Sequence, residues 1–532
     1  MEIKRKTKQG INVVYAIAIM VGILFLLNYI SSNIFLRFDI TQNKDYTVSD
    51  VSKIVLKNLD DIVNVKVFFS KDVPPNLVSL KQDVRDILDE YSNYSKNKIQ
   101  VSYVDPKDDE EAKTEARNLG IPELQFSNLE KDKYEVSTGY LGMAIIYGDK
   151  KEVIPVIEDT KNLEYDLTST IKKVMLDEDL TVAFLKGHNE LDKDTQLRIA
   201  DQYLKTLYTV TTVDTTNGNL IPNNVDTLII AGAKEEFTDR EKYAIDQFLM
   251  RGKSLLVLQE NVNVGDMLQA TQNNTGLDLM FAHYGIKLNS NFILDPSCEM
   301  ASFSSGYTQF FTSYPFWPKI VKTGFNEDSV IVGQLESLVF PWVSSVDLVE
   351  DKMLDKTGII LVNTTDGSWA QQEPKNLSPQ QQFEQGEQKS HNLAVFVSGK
   401  FTSYFNDKDK PANSSVENAD EQIQTEEPEF ISETSSARII LVGDSDFITD
   451  NFLNRFRSNI LFFQNAVDSL TLDEALIQIR SKGVSDRPIK EISAPVKKSI
   501  KFFNIFGMTL IVLLAGLIRY FLRKKTKFSD QI

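Results

Sequence analysis

Cysteine is nearly absent from this chain: among 532 residues Cys298 stands alone, and histidine and tryptophan occur three times each. One cysteine excludes an intramolecular disulfide and a Cys-x-x-Cys redox pair, so a folded part must rest on its apolar core. His283 and His391 have no companions at ligand spacing, which leaves no zinc signature. The sequence contains no G-x-x-x-x-G-K-[ST], no G-x-S-x-G and no H-E-x-x-H. It therefore offers no Walker-type phosphate loop and none of the commonest serine hydrolase and zinc protease patterns. Positive charge is in deficit as well, with 58 Lys and Arg against 75 Asp and Glu and a formal net charge of −17. Nucleic-acid binding needs a basic surface to meet phosphates, and this balance argues against it.

What the chain does have is two long apolar runs. Ile11–Ile30 reads INVVYAIAIMVGILFLLNYI without a charge, and about 20 residues rising 1.5 Å each cross a hydrocarbon core of roughly 30 Å. Phe502–Ile518, FFNIFGMTLIVLLAGLI, is a second run, which Tyr520 and Phe521 extend past Arg519. Each is expected to span a bilayer, because a soluble core helix rarely stays apolar all round for about five turns. Lys4, Arg5, Lys6 and Lys8 precede the first run, and Arg519, Arg523, Lys524, Lys525 and Lys527 close the second. Cytoplasmic flanks collect Lys and Arg, so both tails are expected in the cytoplasm and everything between them on the other side of the membrane. The first run exceeds the roughly 7–15 apolar residues of a cleaved signal, and no small-x-small site follows it. It reads as an uncleaved anchor. Between the tails the chain carries about −24, a surface that favours solubility and repels anionic headgroups.

The expected division is a tail with the first span over 1–38, a thioredoxin-like α/β unit over 39–175, a Rossmann-like α/β unit over 176–480, a linker over 481–500 and the second span with its tail over 501–532. In the first unit Ser49 is placed to cap an amphipathic helix. VNVKVFFS, a helix to about Tyr94, IQVSYVDP, a charged helix through Asn118, YLGMAIIYG and KEVIPVI then give the order βαβαββ. Without a cysteine pair such a unit is a scaffold. From Thr181 the order TVAFLKG, helix, YTVTTVD, VDTLIIAGA, helix, SLLVLQE alternates strands with helices of about a dozen residues, which predicts a mostly parallel sheet. Over 261–381 NFILDP, SVIVGQLESLVF and TGIILVNT read as strands, with an aromatic loop SYPFWP between the first two. NLAVFVSGKF and RIILVGDSDF resume strand character on either side of a polar, acidic stretch, 406–436, that reads as a flexible loop. Helices are expected through NILFFQNAVDSL and around LDEALIQIR.

Three places carry candidate contacts. In KGHNE, Gly187, His188, Asn189 and Glu190 follow a strand, where groups gather in open α/β sheets. A His–Glu couple can serve as base and orienter, yet glycine for the turn and acids for a helix start explain the same letters. In GDSDF, Asp444 and Asp446 can hold a hard cation or, with Ser445, simply start a helix. Tyr314, Phe316 and Trp317 in the aromatic run suit either a recognition surface or packing on the domain's own core. An exported hydrolase or amidase using His188 and Glu190, and an envelope glycan-binding module using Tyr314–Trp317, stand as alternatives to a non-catalytic role. No metal site and no cofactor are expected.

FDITQNKDYTVSDVSKIVLKNLDDIVNVKVFFSKDVPP, VAFLKGHNELD, VDTLIIAGAKEEFTDREKYAIDQFLMRGKSLLVLQE and RIILVGDSDFITDNFL together resemble the GldG family, the auxiliary membrane subunit of an ABC-type transport system associated with bacterial gliding motility. The resemblance covers most of the chain. It implies a glutamine-amidotransferase-like α/β body and partnership with a multi-span permease and a cytoplasmic ATPase. Amidotransferases of that fold use a cysteine on a strand-to-helix elbow; the corresponding stretches here, AGAKEEF and LQENVN, have none, and ILDPSCEM around Cys298 does not resemble an elbow. The resemblance therefore implies a non-catalytic subunit.

Overall fold

The computed structural model describes residues 48–472, less 72, 75–76, 108, 131–132, 158–159, 161–162, 176–178, 266, 306–307, 334, 373–376, 380–384 and 413–427, together with 19–20, 22–23, 501, 503 and 516–520. The two apolar runs, the linker over 481–500 and the helix expected around LDEALIQIR lie outside the described residues apart from a few positions. Among the described residues no helix is long and apolar enough to cross a membrane.

The N-terminal sheet begins after helix α1 (Asp50–Lys57), which Ser49 caps by accepting from the Ser52 N–H at 3.1 Å. Strand β1 (Val63–Phe69), helix α2 (Val78–Tyr94), strand β2 (Ile99–Val104) and helix α3 (Glu110–Asn118) follow. Then come β3 (Leu124–Glu130), β4 (Lys133–Gly139), β5 (Leu141–Tyr147), β6 (Lys150–Ile154) and helix α4 (Leu163–Met175). Four strands join in the order β2-β1-β5-β6; β1 and β2 are parallel, and β5 is antiparallel to both β1 and β6. Val63, Val65 and Val67 alternate onto one face and pack with Leu80, Val84 and Leu88 of α2 and with Leu167 and Ile171 of α4. The hairpin β3–β4 is an addition to the βαβαββ expectation. Its alternating pattern is thinned by polar and charged residues, and its register runs from Leu124 opposite Gly139 to Glu130 opposite Lys133 at the tip.

The central sheet uses β7 (Thr181–Lys186), helix α5 (Arg198–Leu204), β8 (Thr209–Asp214), β9 (Thr227–Ala231), helix α6 (Asp239–Met250) and β10 (Ser254–Leu258). Small elements follow: β11 (Val262–Val264), β12 (Ala270–Gln272), helix α7 (Asp278–Tyr284), β13 (Ile286–Leu288), β14 (Phe292–Leu294), β15 (Cys298–Ser305), β16 (Thr308–Val321), β17 (Ser337–Val339) and β18 (Val346–Leu348). The chain closes with β19 (Lys356–Asn363), β20 (Trp369–Gln371), β21 (Asn392–Gly399), β22 (Ala437–Val442) and helices α8 (Asp450–Arg455) and α9 (Ser458–Thr471). Seven strands pair in the order β19-β21-β22-β10-β9-β7-β8, with five parallel from β22 to β8, β21 antiparallel to β22, and the edge strand β19 antiparallel to β21. Val182, Phe184, Ile229, Leu256 and Ile440 point to one buried core, while Ala183, Leu185, Leu228, Leu255 and Ile439 point to the other. Burial on both faces is why these strands read as unbroken apolar runs.

Three expectations change here. SYPFWP is not a loop but part of the 14-residue strand β16. Its prolines are tolerated because they sit where only a carbonyl is needed: Pro315 accepts from the Asp295 N–H and Pro318 from the Phe340 N–H, both at 3.1 Å. The stretch SVIVGQLESLVF is strand only over Ser337–Val339; before it the chain turns, with the Gly333 N–H closing on the Ser329 carbonyl at 2.8 Å, and Ile331 and Val332 enter the core from that turn. Part of the stretch read as a flexible loop is pinned: the Ile431 N–H meets Gln247 Oε1 at 2.9 Å, and the Thr434 N–H meets the Phe401 carbonyl at 2.9 Å.

Candidate functional site

Strands β7, β9, β10 and β22 lie side by side and parallel, so their carboxyl ends bring Gly187–Glu190, Gly232–Lys234, Gln259–Asn261 and Gly443–Asp446 to one rim. Gly187 makes the first turn at φ +124°, where a Cβ would stand 2.4 Å from Thr216 Cγ2. Asn189 follows at φ +57°, a region asparagine tolerates. The turn returns His188 into the protein. Its ring stacks on Phe237 with centroids 3.7 Å apart, and it is only 4% exposed.

His188 meets carboxylates on both sides: Nε2 lies 3.3 Å from Glu241 Oε1 and Nδ1 3.5 Å from Glu190 Oε1. At that distance the second pair is an electrostatic contact, and neither atom has a hydrogen-bond partner. Glu190 uses Oε2 to accept from the His188 N–H at 2.7 Å; Glu241 uses Oε2 to close the capping box of α6 with Thr238. The His188 carbonyl accepts from the N–H groups of Lys234 and Glu235. Burial alone lowers the imidazole's pKa, but Glu190 and Glu241 outweigh it and hold the ring above its ordinary value.

Beside this turn sits a second acidic group. Glu260, at the end of β10, accepts from the Ser445 N–H at 3.0 Å and the Ser445 hydroxyl at 3.1 Å. Asp444 accepts from the Asp446 N–H at 2.8 Å through Oδ1, while its Oδ2 is buried without a hydrogen-bond partner. Gly232, at φ +65°, separates the two turns: a Cβ there would press on Ser445 Oγ at 2.6 Å and approach Leu191 Cγ at 3.3 Å. Burial, then repulsion from Asp446, pushes Glu260 up to about 7. Asp446 rises to about 6 through burial, opposed by Lys234. Asp444 is driven well above the carboxylate range by burial, then by Asp446 and Glu260. Among the described residues no group of three or more His, Cys, Asp or Glu side chains has the geometry to hold a metal ion.

These shifts fix the sign of a pH dependence. Each carboxyl titrates higher folded than unfolded, so the folded state holds more protons, and the stability they confer is lost as pH climbs from the unfolded values near 4 to about 7. His188 acts in the same direction, losing its contribution as pH rises through its raised value. Asp194 and Asp214, held below the usual range by Lys193 and Thr216, titrate beneath that window. Acidification from about pH 7.5 to about 5.5 should therefore stabilise the body by on the order of 2 kcal/mol, read as a higher thermal midpoint. Glu260→Gln should flatten the profile; equal slopes for parent and variant would refute the assignment.

The remaining candidates are placed elsewhere. Tyr314 and Phe316 are fully buried; the Tyr314 hydroxyl donates to the Leu377 carbonyl at 2.7 Å, and Trp317 packs edge-on against Trp342 and Phe452. Cys298 is half-buried on β15, and burial raises its thiol. His283 bonds the Thr402 carbonyl at 3.0 Å. Sequence reasoning missed Glu241, Glu260 and Phe237 as neighbours of the turns. The end position of Glu260 on a buried strand was the one available signal.

A family model described as an ABC-type uncharacterized transport system matches residues 179–471, and one described as a domain of unknown function matches residues 42–146. An uncharacterized protein of Borreliella burgdorferi is 25% identical over 532 residues, spanning 97% of this chain and 99% of its own length. Among solved structures, the mmIFT52 N-terminal domain aligns over 55% of this chain and 98% of its own at 14% identity and a TM-score of 0.35. Exo-beta-1,4-mannosidase Op5Man5 from Opitutaceae bacterium strain TAV5 aligns over 75% and 51% at 9% identity and a TM-score of 0.25.

Proposed function

The chain belongs to the family described as an ABC-type uncharacterized transport system, and from that premise we propose that it is a membrane-anchored, non-catalytic auxiliary subunit of such a transporter. Its partners are a multi-span permease and a cytoplasmic ATPase, which supplies the work that a chain without a Walker-type loop cannot. In this reading the runs 11–30 and 502–518 cross the membrane with both tails in the cytoplasm. The body over 39–480 faces outward as a thioredoxin-like unit and a Rossmann-like, glutamine-amidotransferase-like unit. The strand order β2-β1-β5-β6 supports the first description and the five parallel strands the second. The GldG-like, gliding-associated assignment rests on sequence resemblance and belongs to the same proposal.

The observation that carries the non-catalytic reading is how the rim spends its reactive groups. His188 is enclosed between two carboxylates, and the described contacts of its side chain include no hydroxyl or thiol. Ser445, 1% exposed, donates both its N–H and its hydroxyl to Glu260 and so works as a turn lock. Partner or ligand contact is therefore assigned to the outward residues of the two turns, Gly187 and Asn189 in the first and Asp446 in the second. Purified from its native membrane in mild detergent, the chain should bring a permease and an ATPase with it. Reproducible isolation without either would overturn the proposal.

A further inference from the structure

Away from the rim, a polar cleft opens beside the ladder formed by β13 and β18, next to β20 and the start of β21. It has two lobes, of about 410 and 600 Å³, whose walls share Asn289, Asn291 and Gln372. Each falls in the roughly 300–1,000 Å³ range of small-ligand sites. The walls are built by buried polar groups. Asn291, 8% exposed, donates Nδ2 to Ser345 Oγ and accepts the Ser345 N–H on Oδ1, both at 3.0 Å. Asn289 donates to Ser345 Oγ at 3.0 Å and to Asp347 Oδ2 at 2.8 Å.

One wall group is left over. His391, 9% exposed, lines the smaller lobe, and its Nε2 is buried without a hydrogen-bond partner. Burial, then Lys389, holds the imidazole below its ordinary value, so near neutral pH it is uncharged, with one nitrogen donating and the other accepting. A buried polar atom without a partner costs about 1–3 kcal/mol, which a ligand hydroxyl would relieve because it can both donate and accept.

The balance of the walls selects the ligand. Among the described lining residues Asp347 and Glu387 are matched by Lys287 and Lys389, so these walls carry no surplus charge to hold an anion or a cation. The Asn289 and Asn291 amides are held by Ser345 and Asp347 and shape the wall, while the exposed Gln372 amide offers donors and an acceptor, the pattern that adjacent hydroxyls satisfy. Val262, Ala270 and Leu288 line the larger lobe and provide an apolar surface for the C–H face of a ring. We propose that this cleft binds a short neutral oligosaccharide, with His391 Nε2 and the Gln372 amide bonding its hydroxyls. The proposal stands on the cleft alone, independently of the transporter reading.

The test is calorimetric titration of the full chain, in a detergent without a sugar headgroup, with chitotriose, maltotriose and cellotriose and with the dipeptide Ala-Ala. At least one trisaccharide should saturate the protein with a millimolar or tighter dissociation constant. His391→Phe, which keeps a ring but removes its nitrogens, and Gln372→Ala, at an exposed position, should each weaken binding about tenfold, the first with a thermal midpoint no lower than the parent's and the second with the midpoint unchanged. Failure of all three trisaccharides to saturate at about 20 mM would overturn the proposal. So would affinity unchanged in both variants, or saturation by the dipeptide alone.

Discussion

Gly443→Ala is expected to destabilise the central body severely. A Cβ at this position would lie 1.9 Å from the Ser344 carbonyl oxygen and 2.8 Å from its carbon. Neither side can give way easily. The Gly443 N–H is committed to the Leu393 carbonyl at 3.0 Å and its own carbonyl accepts the Ser344 N–H at 2.7 Å. Ser344 is fully buried and its hydroxyl is bonded to the Asn291 carbonyl at 2.9 Å. Overpacking usually costs about 1–3 kcal/mol when side chains can shift, and backbone against backbone should exceed that, at about 4 kcal/mol. Gly367→Ala is the control, since its Cβ would come no closer than 3.6 Å to Pro296. Urea unfolding followed by tryptophan fluorescence compares the two. A loss below about 1 kcal/mol for Gly443→Ala would show that the approach of these backbones is not tight.

Asp468→Ala should be nearly as damaging. Asp468, on α9 and 1% exposed, accepts the Tyr165 hydroxyl at 2.5 Å and the Tyr208 hydroxyl at 2.6 Å. Hydrogen bonds to a charged acceptor contribute about 1.5–3 kcal/mol each, and truncation removes both of these bonds at once. After allowance for release of a buried carboxylate, a net loss of about 3 kcal/mol is expected. Tyr165→Phe, which removes one hydroxyl and keeps the ring, should cost about half as much. If the single and double substitutions of Tyr165 and Asp468 prove additive, the two side chains are not coupled and this account fails.

How much of this was legible in the letters depended on where each strand's faces point. Strands β7, β9, β10 and β22 are apolar on consecutive residues because both faces are covered, and that run-length signal survives without knowledge of neighbours. Strand β16 hid behind Pro315 and Pro318, whose missing donors argue against a strand until the acceptor roles of their carbonyls are seen. The hairpin β3–β4 hid behind polar residues on an alternating pattern. At the rim, KGHNE and GDSDF were readable as turns after strands. Their true neighbours, Glu241 and Glu260, come from separate stretches of chain, and only the parallel order of the sheet brings them together. Tyr314 and Phe316 show the converse: aromatic residues beside prolines resemble a display, and the sheet turns them inward.

Helix α4 contributes Leu163, Leu167, Ile171 and Val174 to the N-terminal core, while Tyr165 on the same helix belongs to the central one. Neither half can be excised as a free-standing module by cutting at either end of this helix. Severed before residue 163 the first piece loses its lid, and severed after 175 the second is left with an open socket around Asp468.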